Sequence, residues 1–70
     1  MLYTPGRVIQ RFHLPDGRWL ELVARHDGHF QFYERGFLGP NQGQAAYLFN
    51  SPVYISAEAA EAAARQKFKL

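Results

Sequence analysis

The chain has 70 residues, no cysteine, a formal net charge of +2 and an isoelectric point near 9.3. A single domain of this size buries only about 60% of the surface its unfolded chain exposes, and it has no disulfide or metal-ligand cluster to staple it. No apolar run reaches the ~18 residues of a membrane span, no apolar stretch of about 7–15 residues follows Arg7 as a secretory leader requires, and the lack of Cys fits a reducing compartment, so the expectation is cytoplasmic.

The eleven aromatic residues must therefore supply much of the burial, each removing roughly 150–250 Å² from water. Thr4-Pro5-Gly6 opens the chain as a turn or loose arm. Residues 7–14 then alternate, with Val8, Gln10, Phe12 and Leu14 on one face and Arg7, Ile9, Arg11 and His13 on the other. Residues 18–25 set Leu20, Leu22 and Ala24 against Trp19, Glu21, Val23 and Arg25, and residues 29–35 set Phe30 and Phe32 against Gln31, Tyr33 and Arg35. A period of two predicts strands with one buried face.

The turns between them select a register. A two-residue Asp16-Gly17 loop would pair Phe12 with Glu21 and mix the faces. A three-residue Pro15-Asp16-Gly17 loop puts proline at the first corner and glycine in the left-handed position. Phe12 then meets Leu20, Val8 meets Ala24, and Arg11 meets Glu21. The same choice at His26-Asp27-Gly28 pairs Ala24 with Phe30, Leu22 with Phe32 and Glu21 with Tyr33. A one-residue slip would flip every side chain, so agreement at both turns is informative.

Residues 36–44, rich in Gly, Pro, Asn and Gln, read as a loop. Residues 45–49 are a candidate fourth strand. Ser51-Pro52 could start a helix, but Val53, Tyr54 and Ile55 favour extended backbone, and Ser56 is the better N-cap. A helix over residues 57–68 follows, with Glu58 in its first turn and Lys67 in its last, as the helix dipole favours. Glu61 and Arg65 are spaced as an i,i+4 pair, while Ala57, Ala60, Ala64 and Phe68 form the opposite stripe. The fold expected is α+β: a three- or four-stranded antiparallel meander with one C-terminal helix packed on one face, all in a single domain.

That register leaves an outer sheet face of three rows: Arg7–Arg25–His29, Arg11–Glu21–Tyr33 and His13–Trp19–Arg35. Arg7, Arg11, His13, Trp19, Arg25, Tyr33 and Arg35 are the candidate binding residues, since arginine beside flat aromatics can hold phosphates while bases stack. The plainer reading is a structural outer face, with Arg35 over Trp19 and the 36–44 loop or a partner subunit covering the indole. Phe37, Leu38, Tyr47 and Phe49 form a second candidate, an apolar interaction patch larger than one short helix covers.

The Gly17-Arg18-Trp19-Leu20-Glu21-Leu22-Val23-Ala24-Arg25 stretch and the Tyr54-Ile55-Ser56 entry into an alanine-rich helix resemble the plant ethylene-response-factor DNA-binding domain and the related phage-integrase arm-binding domain. The resemblance implies three strands and a helix, with Arg11, Trp19 and Arg25 as DNA-contacting candidates. Trp19 and Arg25 are one residue further apart than in that family, and the loop before Ser56 has no counterpart there. The outline is equally similar to small uncharacterised bacterial domains.

Residues 1–35 hold five Arg and four acids, far from the charge balance of a dedicated nucleic-acid binder. His26-Asp27-Gly28-His29 has the residue types of a metal site, but a tight turn splays such side chains and no third ligand stands beside them. Ser51 and Ser56 lack a base or oxyanion turn, and Gly36-x-x-Gly39 lacks the Lys of a phosphate loop. The expectation is a non-catalytic module without metal, cofactor, membrane or small-molecule substrate. Its partner is another protein or a second copy, with nucleic acid the alternative.

Overall fold

A computed structural model describes residues 6–37 and 45–70. Its elements are β1 (Gly6–His13), β2 (Trp19–Arg25), β3 (Phe30–Gly36), β4 (Ala46–Asn50) and α1 (Ala57–Phe68). The strands form one antiparallel sheet in the order β1-β2-β3-β4, and α1 packs across β2 and β3. The architecture is thus an α+β meander with the fourth strand present. Leu38 and the Thr4-Pro5 arm lie outside the described residues.

Both hairpins close on three-residue loops. The Leu14 amide donates to the Arg18 carbonyl at 2.9 Å, and the Arg25 amide to the His29 carbonyl at 2.8 Å. Gly17 and Gly28 take φ of +89° and +84°, the left-handed position each loop requires. The aspartates fasten the same turns, Asp16 accepting from the Arg18 amide at 3.3 Å and Asp27 from the His29 amide at 3.0 Å. The resulting register pairs Phe12 with Leu20, Arg11 with Glu21, Leu22 with Phe32 and Ala24 with Phe30.

One part of the expected register fails. A bulge at Ile9 puts Val8 opposite Val23 and Arg7 opposite Ala24, one step away from the Val8–Ala24 and Arg7–Arg25 pairs the alternation predicts. The extra residue turns the first half of β1 over. Arg7 therefore leaves the outer face, and Val8 joins it.

The core joins Leu14, Leu20, Leu22 and Phe32 of the hairpins to Ala60 and Ala64 of α1. Alanine at those two helix positions lets the helix axis come close to the sheet. Phe32 sits at the centre, with the rings of Phe49, Tyr54 and Phe68 at 6.0, 6.2 and 6.3 Å. Such pairs contribute about 0.5–1.5 kcal/mol each beyond their burial.

The chain between β4 and α1 is stitched to β3. Phe30 and Tyr54 exchange both backbone hydrogen bonds, at 2.8 and 2.7 Å. The Ser51 hydroxyl accepts the Phe32 amide at 2.9 Å and donates to the Pro52 carbonyl at 2.7 Å. The Ser56 hydroxyl then caps α1 by accepting the Ala59 amide at 3.1 Å. Lys69 closes the helix in a left-handed conformation, φ 58°, and Glu61 and Arg65 pair at 2.9 Å on its exposed side.

Candidate interaction surface

The outer sheet face is organised around one carboxylate. Glu21, in the middle of β2, is 5% exposed. Its Oε2 accepts from Trp19 Nε1 at 3.1 Å and from Arg11 Nε at 3.4 Å, while Oε1 accepts from Arg35 Nη1 at 3.2 Å. Burial pushes the Glu21 carboxyl up, but the Trp19, Arg35 and Arg11 donors outweigh it and hold the group below its ordinary value. Register explains the convergence: Glu21 stands opposite Arg11 on one side, and Arg35 lies diagonally across on the other. Two guanidiniums share one negative charge.

Arg35 is further committed to the fold. Its Nη2 donates to the Ala45 carbonyl at 2.9 Å, and its Cζ lies 4.0 Å from the Tyr47 ring centre. The expected stack of Arg35 on Trp19 is thus replaced by one on Tyr47, because β4 brings that ring directly beside β3. Trp19 instead meets Phe37, ring centres 5.7 Å apart. Phe37 belongs to the 36–44 loop expected to cover the indole, and residues 38–44 of that loop lie outside the described residues.

Arg25 reaches Asp27 through Nε and Nη2, at 3.2 and 3.0 Å, and Gln31 through Nη1. The Arg25 hydrogen bonds, followed by the His29 amide, hold the Asp27 carboxyl down at about 2. Tyr33 donates its hydroxyl to Gln31 Oε1 at 3.1 Å, and Gln31 Nε2 donates to the Ser51 carbonyl at 2.7 Å. Val23, Gln31 and Tyr33 are all buried on this face, so its centre is not the bare platform that the alternation predicts. The structure brings Arg11, His13, Trp19, Tyr33 and Arg35 together around Glu21, pairs Arg25 with Asp27 while Gln31 links it to Tyr33, and removes Arg7.

Of the apolar patch, Phe49 faces the core beside Phe32, with Lys67 Nζ 4.4 Å from its ring. Phe37 and Tyr47 remain 58% and 59% exposed. Tyr47 packs edge-on to Tyr33 at 5.3 Å, so the exposed rings flank the Glu21 cluster. A shallow depression bounded by Arg11, His13, Trp19 and Glu21 opens beside them.

No family model, curated protein or solved structure matches the chain.

Several ion pairs escaped sequence reasoning: Arg35–Glu21 and Arg25–Asp27 on the outer face, and those of Arg18. Glu34 is buried on the helix side and paired with Arg18 Nη1, while Arg18 Nε holds Asp16 at 2.7 Å. The alternation that turns Phe30 and Phe32 inward also turns Glu34 inward, which is the signal that could have found it. Among the described residues no three His, Asp or Glu side chains gather as a metal site, and no helix is long and apolar enough to cross a membrane. His29 Nδ1 lies 3.4 Å from Asp27 Oδ1, a carboxylate that Arg25 already engages.

Proposed function

We propose that this domain is a non-catalytic protein-interaction module whose contact surface is the ridge of Trp19, Phe37 and Tyr47 with Arg11 at its rim. One observation carries the reading: the arginines of the outer face are answered by Glu21 and Asp27, whereas Phe37 and Tyr47 beside them stay more than half exposed. Aromatic rings and arginine dominate the energetics of protein interfaces. Nucleic-acid binding is the second reading, favoured by Arg11, whose side chain is 60% exposed, and opposed by the neutralisation of Arg25 and Arg35.

The test uses the tagged chain as bait beside its Phe37→Ser/Tyr47→Ser double variant, with sedimentation equilibrium on both to detect self-association. Loss of the captured partner or of the associated mass in the variant supports the reading. Retention of both in the variant sinks it. Affinity for mixed-sequence DNA that falls steeply between ~20 and ~200 mM salt would favour the second reading.

A further inference from the structure

α1 covers the two central strands and leaves β1 overhanging at the sheet edge. Residues 7–11 are exposed one after another. A strand with one covered face alternates, so an unbroken exposed run means that neither face of this segment is covered. An edge strand also presents unpaired backbone N–H and C=O groups.

The charge on this strand has one sign. Gly6–His13 contains Arg7, Arg11 and His13 and no acid. Arg7 has no carboxylate partner among the described residues. Arg11 engages Glu21 through Nε alone, which leaves its terminal amino groups to solvent. A carboxylate fits that pair of donors side by side. Depressions lie at both ends of the strand, one bounded by Gly6, Arg7, Ala24, Arg25 and His26 and the other by Arg11, His13, Trp19 and Glu21. A second copy of β1 laid antiparallel would set arginines against arginines, and like charges across strands are destabilising.

We propose that β1 accepts an extended, acidic segment of a protein partner as an added strand. Pairing runs along the regular stretch from Gln10 to His13, because the bulge at Ile9 interrupts the edge before it. Backbone hydrogen bonds supply the attachment, a carboxylate meeting Arg11 on the outer face supplies the selectivity, and Arg7, beyond the bulge, adds longer-range attraction for an acidic chain. The inference rests on the reading of the domain as a protein-interaction module, and it places the partner's backbone beside the Trp19 ridge.

The test titrates the full, isotope-labelled chain with three capped peptides and follows backbone amides by NMR. One alternates glutamate and valine, the second replaces glutamate by lysine, and the third is the acidic peptide N-methylated at alternate peptide bonds, which keeps its charge but cannot pair. The expected result is that only the first peptide shifts the amides of Gln10, Arg11, Phe12 and His13 and slows the exchange of Arg11 and His13, whose N–H groups face the open edge while those of Gln10 and Phe12 point into β2. Arg7→Glu then weakens binding about threefold or more without changing the melting temperature. An absence of shifts, equal shifts from the N-methylated peptide, or shifts on Tyr47 and Leu48 in place of β1 would overturn the proposal. A null titration combined with capture that still depends on Phe37 and Tyr47 removes this inference and leaves the broader reading. A null titration with capture indifferent to those residues removes both.

Discussion

Glu21 and Arg35 meet diagonally across β2 and β3, Oε1 to Nη1 at 3.2 Å, and the carboxylate that holds Arg35 also holds Arg11 and the Trp19 indole. One buried acid therefore fixes three candidate binding side chains. Glu21→Gln keeps the shape and removes the charge, leaving two arginines and no counter-ion. Chemical denaturation should show a loss of about 1–3 kcal/mol, the cost of weakening a buried charge-assisted network. The same variant adds one positive charge to the face, so any DNA affinity should rise. A stable Glu21→Gln variant would show that the cluster is ornamental to the fold.

Acid should loosen the molecule from the same side. Glu21 and Asp27 both have folded-state values below their unfolded ones, Glu21 through Trp19, Arg35 and Arg11 acting against burial, and Asp27, at about 2, through Arg25. A lowered carboxyl contributes stability that is complete above the unfolded value and disappears as pH falls through the folded one. The melting temperature should thus begin to fall below about pH 5 and continue falling to about pH 2. Asp27→Asn should flatten the acidic end of that curve. An unchanged slope in the variant would remove Asp27 from the account.

Ser51 substitutes for a missing piece of strand. Where β4 has ended, the Ser51 amide donates to the Phe32 carbonyl at 3.0 Å and the Ser51 hydroxyl accepts the Phe32 amide. Ser51→Ala should leave that amide unsatisfied beneath the core and cost about 1–3 kcal/mol. Hydrogen exchange gives the specific check: the Phe32 amide should lose more protection than those of its neighbours.

The hairpins were legible because Pro15-Asp16-Gly17 and His26-Asp27-Gly28 leave few backbone choices, and a slip would have exposed Phe12, Leu22 and Phe32. Ser56 was legible for a similar reason, since its hydroxyl is placed to satisfy a helix amide. The bulge at Ile9 was not. Val8 and Ile9 are adjacent, both apolar and both β-branched, so neither alternation nor glycine marks which one is extra. The Arg11–Glu21–Tyr33 row survived, because it depends only on the turn. The Arg7–Arg25–His29 row lost Arg7, which lies beyond the bulge, while Arg25 and His29 still oppose each other across the second turn. Arg35 stacks on Tyr47 and not on Trp19, which was not legible because residues 45–49 read as a strand without a register, and the pairing with β3 shifts between Glu34 and Arg35.

Ala60 is fully buried and Ala64 nearly so, facing Leu20, Leu22 and Phe32. Ala60→Leu inserts a branched side chain where the helix touches the sheet, and close-packed interiors tolerate this poorly. The expected cost is about 1–3 kcal/mol. Ala62→Leu, on the exposed side of the same helix, should stay within about 0.5 kcal/mol of the parent. Equal effects at the two positions would contradict the close helix–sheet seam.

Phe37 and Tyr47 are equally exposed but unequally tied to the fold, and that difference separates a structural ridge from an interface. Tyr47 supports the Arg35 guanidinium and the Tyr33 ring. Tyr47→Ser should therefore lower stability by about 1 kcal/mol through the lost cation–π and ring contacts. Phe37 touches only the Trp19 ring among the described aromatics, so Phe37→Ser should cost about 0.5 kcal/mol or less. If the ridge contacts a partner, both single variants should weaken capture, and Phe37→Ser should do so with its melting temperature nearly unchanged. Capture that tracks stability alone, lost with Tyr47 and kept with Phe37, would assign the ridge to holding β4 on the sheet.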